Sequence, residues 1–147
     1  MISISLCMIV KDEEKVLARC LDSVKDAVDE IIIVDTGSRD GTKEVAGGYT
    51  GYIYDFPWQD DFSAARNEAF SKASMEYCMW LDADDVLPGG SAEKLLQLKE
   101  ELPTDTDMVM MPYEMIFDEK GNPGFSYYRE RLVRNNGRYL FQGRVHE

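Results

Sequence analysis

Tyr77-Cys78-Met79-Trp80-Leu81-Asp82-Ala83-Asp84-Asp85 decides how the rest of the chain is read. An apolar run breaks off into three carboxylates among four residues, Asp82 to Asp85. Such a run reads as a buried strand, and the acids at its end stand at the edge of a sheet. Two carboxylates separated by one residue can reach a single cation when the backbone turns between them. Hard oxygen donors of this kind suit Mg2+ or Mn2+, which keep positions for water and substrate phosphate. The competing reading is a solvated acidic turn ahead of the next helix; the strand before the cluster favours the metal.

Working back toward the start, Ile2, Ile4, Leu6, Met8 and Val10 alternate, with Cys7 and Ile9 between them also apolar, which predicts a strand buried on both faces. It ends at Lys11-Asp12-Glu13-Glu14. Val16, Leu17, Cys20, Leu21, Val24 and Val28 then recur at helical spacing behind acids that suit a helix N-terminus. Ile31-Ile32-Ile33-Val34 is β-branched throughout and predicts a central strand running into Asp35-Thr36-Gly37-Ser38-Arg39-Asp40-Gly41-Thr42. A short helix over Thr42 to Ala46 and a strand at Tyr52-Ile53-Tyr54 come next. Asp60 to Ser63 offers caps for a helix marked by Ala65, Ala69, Phe70 and Ala73, with Arg66 and Asn67 in its first turns. Strands alternating with crossover-length helices predict an α/β fold built on a mostly parallel sheet.

Beyond Pro88-Gly89-Gly90, Ser91 caps one more helix carrying Leu95, Leu96, Leu98 and Leu102, closed by Pro103. The pattern then changes. Met108–Met111, Tyr113–Phe117, Phe125–Val133 and Arg138–Phe141 read as strands separated by turn-rich Asp118–Gly124 and by Asn135-Asn136-Gly137, hence as antiparallel additions to the sheet.

The chain of 147 residues fits a single domain, 1–147, and its 44% hydrophobic content suffices for a core. A net charge of −12, from 16 basic and 28 acidic residues, argues against nucleic acid or an anionic membrane as partner. A small anionic ligand would need a metal or a few placed arginines. Cys7, Cys20 and Cys78 are odd in number and set among apolar residues, so they read as reduced core thiols and point to the cytosol. There is no signal-peptide pattern and no run near the ~18 apolar residues of a transmembrane helix. The stop at Arg144-Val145-His146-Glu147 is abrupt, and a fragment of a longer chain is expected.

In an open α/β sheet, ligands bind at the carboxyl ends of strands where strand order reverses. The loops at Lys11, Asp35 and Asp82 should therefore share one crevice. Asp35 is a candidate acceptor for a nucleobase N–H or a ribose hydroxyl, with Gly37 and Gly41 allowing close backbone approach; an ordinary Asp/Gly turn is the alternative. Arg66 carries a fork of donors that matches a diphosphate or a base edge, against the alternative of a surface pair with Asp60 or Asp61. Trp58 and Phe62 read as loop or core anchors. His146, the one histidine, stands beside Glu147 as a candidate metal ligand next to a general base, against the alternative of a structural histidine. Neither Gly-x-Gly-x-x-Gly nor a Walker lysine is present, so dinucleotide and P-loop folds find no support.

Four segments together resemble family 2 glycosyltransferases: Ile9-Val10-Lys11-Asp12-Glu13-Glu14, Ile32 to Thr42, Phe62-Ser63-Ala64-Ala65-Arg66-Asn67-Glu68, and Trp80-Leu81-Asp82-Ala83-Asp84-Asp85. The closing Gly143-Arg144-Val145-His146-Glu147 is similar to bacterial members often fused to helical repeats. The resemblance implies a GT-A fold, a Rossmann-like nucleotide half merging into an acceptor half. It implies that Val10, Lys11 and Glu13 border the nucleobase, that Asp35 accepts from the base, and that Arg66 approaches base or phosphate. Asp82 and Asp84 would form the Asp-x-Asp that meets ribose, metal and diphosphate, with UDP the commonest nucleotide of the family. By position Glu147 would be the catalytic base, and the implied reaction is a metal-dependent, inverting transfer from a UDP-sugar to the hydroxyl of a glycan, lipid-linked or protein acceptor. Asp12 stands where the family usually has Asn, Thr36 where a second Asp is frequent, and nothing follows Glu147 to build the acceptor wall. Two other functions compete: a non-catalytic sugar-nucleotide or metal-binding module, and a nucleotidyltransferase, which would want a Gly- and Arg-rich first loop.

Overall fold

The three most apolar runs of the sequence become adjacent parallel strands. The protein is described here by a computed structural model covering residues 1–103, 105–114 and 126–136. Strand β1 (Ile4–Val10) lies at the centre, paired in parallel with β2 (Glu30–Asp35) on one side and with β4 (Tyr77–Trp80) on the other. Cys7 faces Ile32 in one register and Trp80 in the other. A short β3 (Ile53–Asp55) extends the sheet beyond β2. Strand β6 (Ser126–Arg134) runs antiparallel to β4, and β5 (Met108–Glu114) antiparallel to β6, giving the order β3-β2-β1-β4-β6-β5. The four parallel strands and two antiparallel additions agree with the fold expected from the sequence.

Helices cover both faces, which is why β1 and β2 are apolar apart from Ser5 and the terminal acids Glu30 and Asp35. On one face α1 (Leu17–Val24), α2 (Thr42–Gly47) and α4 (Ser91–Glu101) supply Leu17, Leu21, Ala46 and Leu95 to a core with Leu6, Met8, Ile33 and Met79. On the other, α3 (Phe62–Ser71) lays Ala69 against Cys7, Ile32, Val34 and Cys78. Ala65 and Ala69 are both buried, and such small side chains let α3 lie close against β1 and β2. After β3 the chain crosses from one side of β1 to the other before entering β4. Strand order therefore reverses between β1 and β4, and a crevice opens at their carboxyl ends.

Several boundaries differ from the sequence reading for identifiable reasons. The helical pattern from Val16 to Val28 is broken: α1 ends at Val24, and Lys25–Ala27 tightens into a 3-10 turn that still buries Ala27. Gly90, not Ser91, caps α4, because the chain enters the helix through a left-handed residue with φ 87°. Met108–Met111 and the residues from Tyr113 belong to one strand through Pro112, which is tolerated because β5 is an edge strand among the described residues. Asp61 is the true cap of α3, its Oδ1 accepting from Ala64 N–H at 3.1 Å. The expected turn over Asp118–Gly124 and the strand Arg138–Phe141 lie outside the described residues.

Candidate functional site

Each of the three loops expected to converge does so. Ile9, Val10, Lys11 and Glu13 from the end of β1, Thr36 after β2, Phe62 and Arg66 of α3, and Asp82, Ala83 and Asp84 after β4 line one cleft of about 380 Å3. The β1 and β2 loops clasp each other by reciprocal bonds. Asp12 N–H donates to Ser38 Oγ at 2.9 Å, and Arg39 N–H returns a bond to Asp12 Oδ1 at 2.7 Å. Glu13 N–H donates to Thr42 Oγ1 at 2.8 Å, and Gly41 N–H to Glu14 Oε2 at 2.9 Å. Asp12 holds φ 53°, a left-handed conformation that Asp tolerates better than most residues.

Asp35 is buried at the last position of β2, 2% exposed. Its Oδ1 accepts from Gly37 N–H and Ser38 N–H, each at 2.8 Å. Its Oδ2 is buried without a hydrogen-bond partner among the described residues. An unsatisfied buried acceptor costs about 1–3 kcal/mol, more when charged. The Gly37 turn is needed for this arrangement, since Gly37 has φ 119°.

Asp82, Asp84 and Asp85 bring one carboxylate oxygen each to within 4.8 Å of one another. Asp84 is exposed, and its carbonyl accepts from Arg19 Nη2 at 3.4 Å. Asp82 pairs with Arg66, whose Nη2 lies 2.8 Å from Oδ1. Arg66 is only 4% exposed, and its guanidinium stands 4.4 Å from the centroid of the Trp80 ring. The alternative of a surface pair with Asp60 or Asp61 is thereby replaced: the partner is Asp82, and Asp60 accepts instead from Trp58 Nε1 at 2.9 Å. Trp58 packs edge-on against Phe62, centroids 4.8 Å apart, as an anchor of this loop.

Negative charge is concentrated on this side of the cleft. Partial burial, then the carboxylates of Asp84, Asp40, Asp82 and Asp12, raise the Glu13 carboxyl above its ordinary range. Behind the acidic turn Cys20 Sγ donates to the Asp82 carbonyl at 3.6 Å, and burial pushes this thiol up to about 12. Cys20 therefore serves the turn as a protonated donor and offers no thiolate.

The residues Val10, Lys11, Glu13, Asp35, Arg66, Asp82 and Asp84 are thus gathered at one end of the sheet, whereas His146 and Glu147 lie outside the described residues. Two side chains escaped the sequence reading. Trp80 is buried, donates Nε1–H to the Glu130 carbonyl at 2.6 Å, and carries arginines on its ring. Arg131 of β6 is one of them, and it also pairs with Asp85. Arg131 closes the charged run Arg129-Glu130-Arg131, which resembles a solvated stretch of strand, so the sequence carried little signal for it.

The sequence and the fold have counterparts among known proteins. The family model for Glycosyl transferase family 2 matches residues 5–144. A TPR repeat-containing protein of Synechococcus elongatus is 40% identical over 149 residues, covering 100% of this chain and 35% of its own length. The SPbeta prophage-derived glycosyltransferase SunS of Bacillus subtilis is 33% identical over 154 residues, covering 99% of this chain and 34% of its own. The chain spans about a third of the length of these curated relatives. Among solved structures, glucosyl-3-phosphoglycerate synthase of Mycobacterium tuberculosis superposes with a TM-score of 0.52 at 22% identity, over 59% of this chain and 36% of that one. That likeness bears on the fold, and the match across residues 5–144 settles the family: the chain belongs to glycosyl transferase family 2.

Proposed function

We propose that this chain binds a nucleoside diphosphate sugar, foremost a UDP-sugar, and serves its transfer to an acceptor hydroxyl with inversion and with the help of Mn2+ or Mg2+. The observation that carries this reading is Asp35: a buried carboxylate whose Oδ1 is held by two backbone N–H groups while Oδ2 has no partner. A pyrimidine N–H is a donor of the right kind for that oxygen. Val10, Lys11 and Glu13 would border the base, and Asp82 would be shared with the ribose.

The donor set fits a hard divalent cation. Asp82 and Asp84 supply carboxylate oxygens on one turn, and like charge around Glu13 is relieved by a cation. Asp84, the exposed member, would be the direct ligand, with His146 a further ligand by sequence position. Crystals of the M. tuberculosis synthase have been obtained with Mn2+ and UDP-glucose. When bound, the ion would supply positive charge to the diphosphate leaving group. Arg66 holds one oxygen of Asp82 and so orients that carboxylate in the cleft. The acceptor oxygen would attack the anomeric carbon as the bond to the diphosphate breaks, and Glu147 would take the hydroxyl proton. One displacement inverts the anomeric centre. The acceptor would be a glycan, a lipid-linked species or a protein, and three free thiols among buried side chains suit a reducing cytosol.

The test is UDP binding and UDP release from UDP-sugars, with and without Mn2+, in this chain and in a longer chain that continues past Glu147. Mn2+-dependent binding in both, with turnover in at least the longer one, is expected. Binding without turnover in both would make the protein a non-catalytic donor-binding module. Absence of binding with and without Mn2+ would refute the donor site itself.

A further inference from the structure

The strand register singles out Arg131. Val109 and Met110 are consecutive on β5, whereas their partners on β6 step from Leu132 to Glu130, so Arg131 is an extra residue in the ladder. A bulge of this kind bends its strand and re-aims a side chain, and bulges gather beside functional sites. Here the re-aimed side chain runs under the acidic turn. Arg131 is 5% exposed; its Nη1 donates to the Trp80 carbonyl at 3.3 Å and to Asp85 Oδ2 at 3.1 Å, and its guanidinium lies 4.0 Å from the Trp80 ring centroid.

The same oxygen of Asp85 accepts from Asp82 N–H at 2.8 Å, and Asp85 N–H donates back to the Asp82 carbonyl at 2.9 Å. Asp85 is therefore committed at both ends, to a buried guanidinium and to the backbone of the turn. Asp82, Ala83 and Asp84 line the cleft, and Asp85 does not. By distance alone the three carboxylates form one group, but their partners divide them.

We infer that Arg131 and Asp85 are a positioning pair that sets the Asp82–Asp85 turn, so that Asp82 and Asp84 face the cation and diphosphate while Asp85 is withheld from the metal. This rests on the donor-site reading above. The bulge turns a charge inward, the indole and the Trp80 carbonyl hold it in place, and Asp85 passes that position to the Asp82 amide. Because both contacts of Asp85 are to Oδ2, an amide oxygen placed there can accept them both. A metal ligand would not survive that change so well.

The experiment is Mn2+ affinity in the presence of UDP, by electron paramagnetic resonance, for the wild type, Asp84→Asn, Asp85→Asn, Asp85→Ala and Arg131→Met, together with UDP affinity without metal. Groups that orient ligands typically change metal affinity about 10- to 100-fold when removed. Asp85→Ala and Arg131→Met should each weaken Mn2+ about tenfold and leave metal-free UDP affinity unchanged, whereas Asp85→Asn should stay within about threefold of wild type. Asp84→Asn should abolish Mn2+ binding. Loss in Asp85→Asn equal to that in Asp84→Asn would make Asp85 a ligand and overturn the inference. So would unchanged Mn2+ affinity in Asp85→Ala, or an equal loss of metal-free UDP affinity, which would mark a merely structural role. If Arg131→Met does not fold, the contrast between Asp85→Asn and Asp85→Ala decides alone. A wild type that binds no Mn2+ with UDP would defeat the donor reading and this inference together; the wrong ranking of variants defeats only the inference.

Discussion

Replacing Asp35 by Asn separates binding from stability at the buried acid that ends β2, next to Thr36 of the cleft. With its oxygen kept at the Oδ1 position, the amide still accepts from Gly37 and Ser38, now at 2.8 Å bonds to a neutral partner. Changing a charged acceptor to a neutral one weakens each bond by about 1 kcal/mol. Against that loss of about 2 kcal/mol stands the relief of a charge in a 2% exposed site and of an oxygen with no partner. The two nearly cancel, and Asp35→Asn should unfold in urea within about 1 kcal/mol of wild type. For a nucleobase N–H, however, the variant presents a donor where Oδ2 was an acceptor. The lost charge-assisted bond is worth about 1.5–3 kcal/mol, so calorimetry should show UDP binding weakened about 10- to 150-fold. UDP affinity within about threefold of wild type would show that Oδ2 does not meet the base. A stability loss well beyond about 2 kcal/mol would show that Asp35 serves chiefly as a staple of its own turn.

The remaining predictions concern the scaffold. Gly37→Ala should lower stability by about 1–2 kcal/mol through its φ of 119°, although nothing lies within 4 Å of the added Cβ. Gly47→Ala, equally open but without a positive φ, should raise it by about 0.4–1 kcal/mol; thermal unfolding of the pair isolates conformation from space. For Glu30, burial raises the carboxyl, but bonds from Ser5 Oγ and from Ser74 Oγ and N–H outweigh it and leave it below its ordinary range. A depressed folded value means stability present above the unfolded value of 4.5 and lost as pH falls through the folded one. Glu30→Gln should therefore melt below wild type near neutrality, and the two melting curves should converge in acid; parallel curves down to about pH 3 would contradict the assignment.

The parts of the site legible in sequence were those carried by strand ends. Ile31–Val34 and Tyr77–Leu81 could only be buried strands, and in a parallel sheet every strand delivers its last residue to the same edge. Asp35 and Asp82 were found for that reason, and so was their meeting with Lys11. Contacts set by packing across the sheet were not legible. Arg66 has acids six and five residues before it, Asp60 and Asp61, yet it reaches Asp82 because α3 lies over β1 and β2 and turns it inward. Arg131 reaches Asp85 only because β6 joins β4 antiparallel and slips one residue at the bulge. Neither antiparallel partner choice nor a bulge leaves a periodic trace. Trp80 looked like core and is core, but it is also the surface on which these arginines are placed.

The most direct measurement is anomalous diffraction at the manganese edge from crystals grown with Mn2+ and UDP. Metal-bridged donor binding at this cleft predicts a manganese peak within about 2.2 Å of an Asp84 oxygen, with the diphosphate on its other side and the base at Asp35. Nucleotide bound elsewhere, or in the cleft with no manganese beside Asp84, would contradict it.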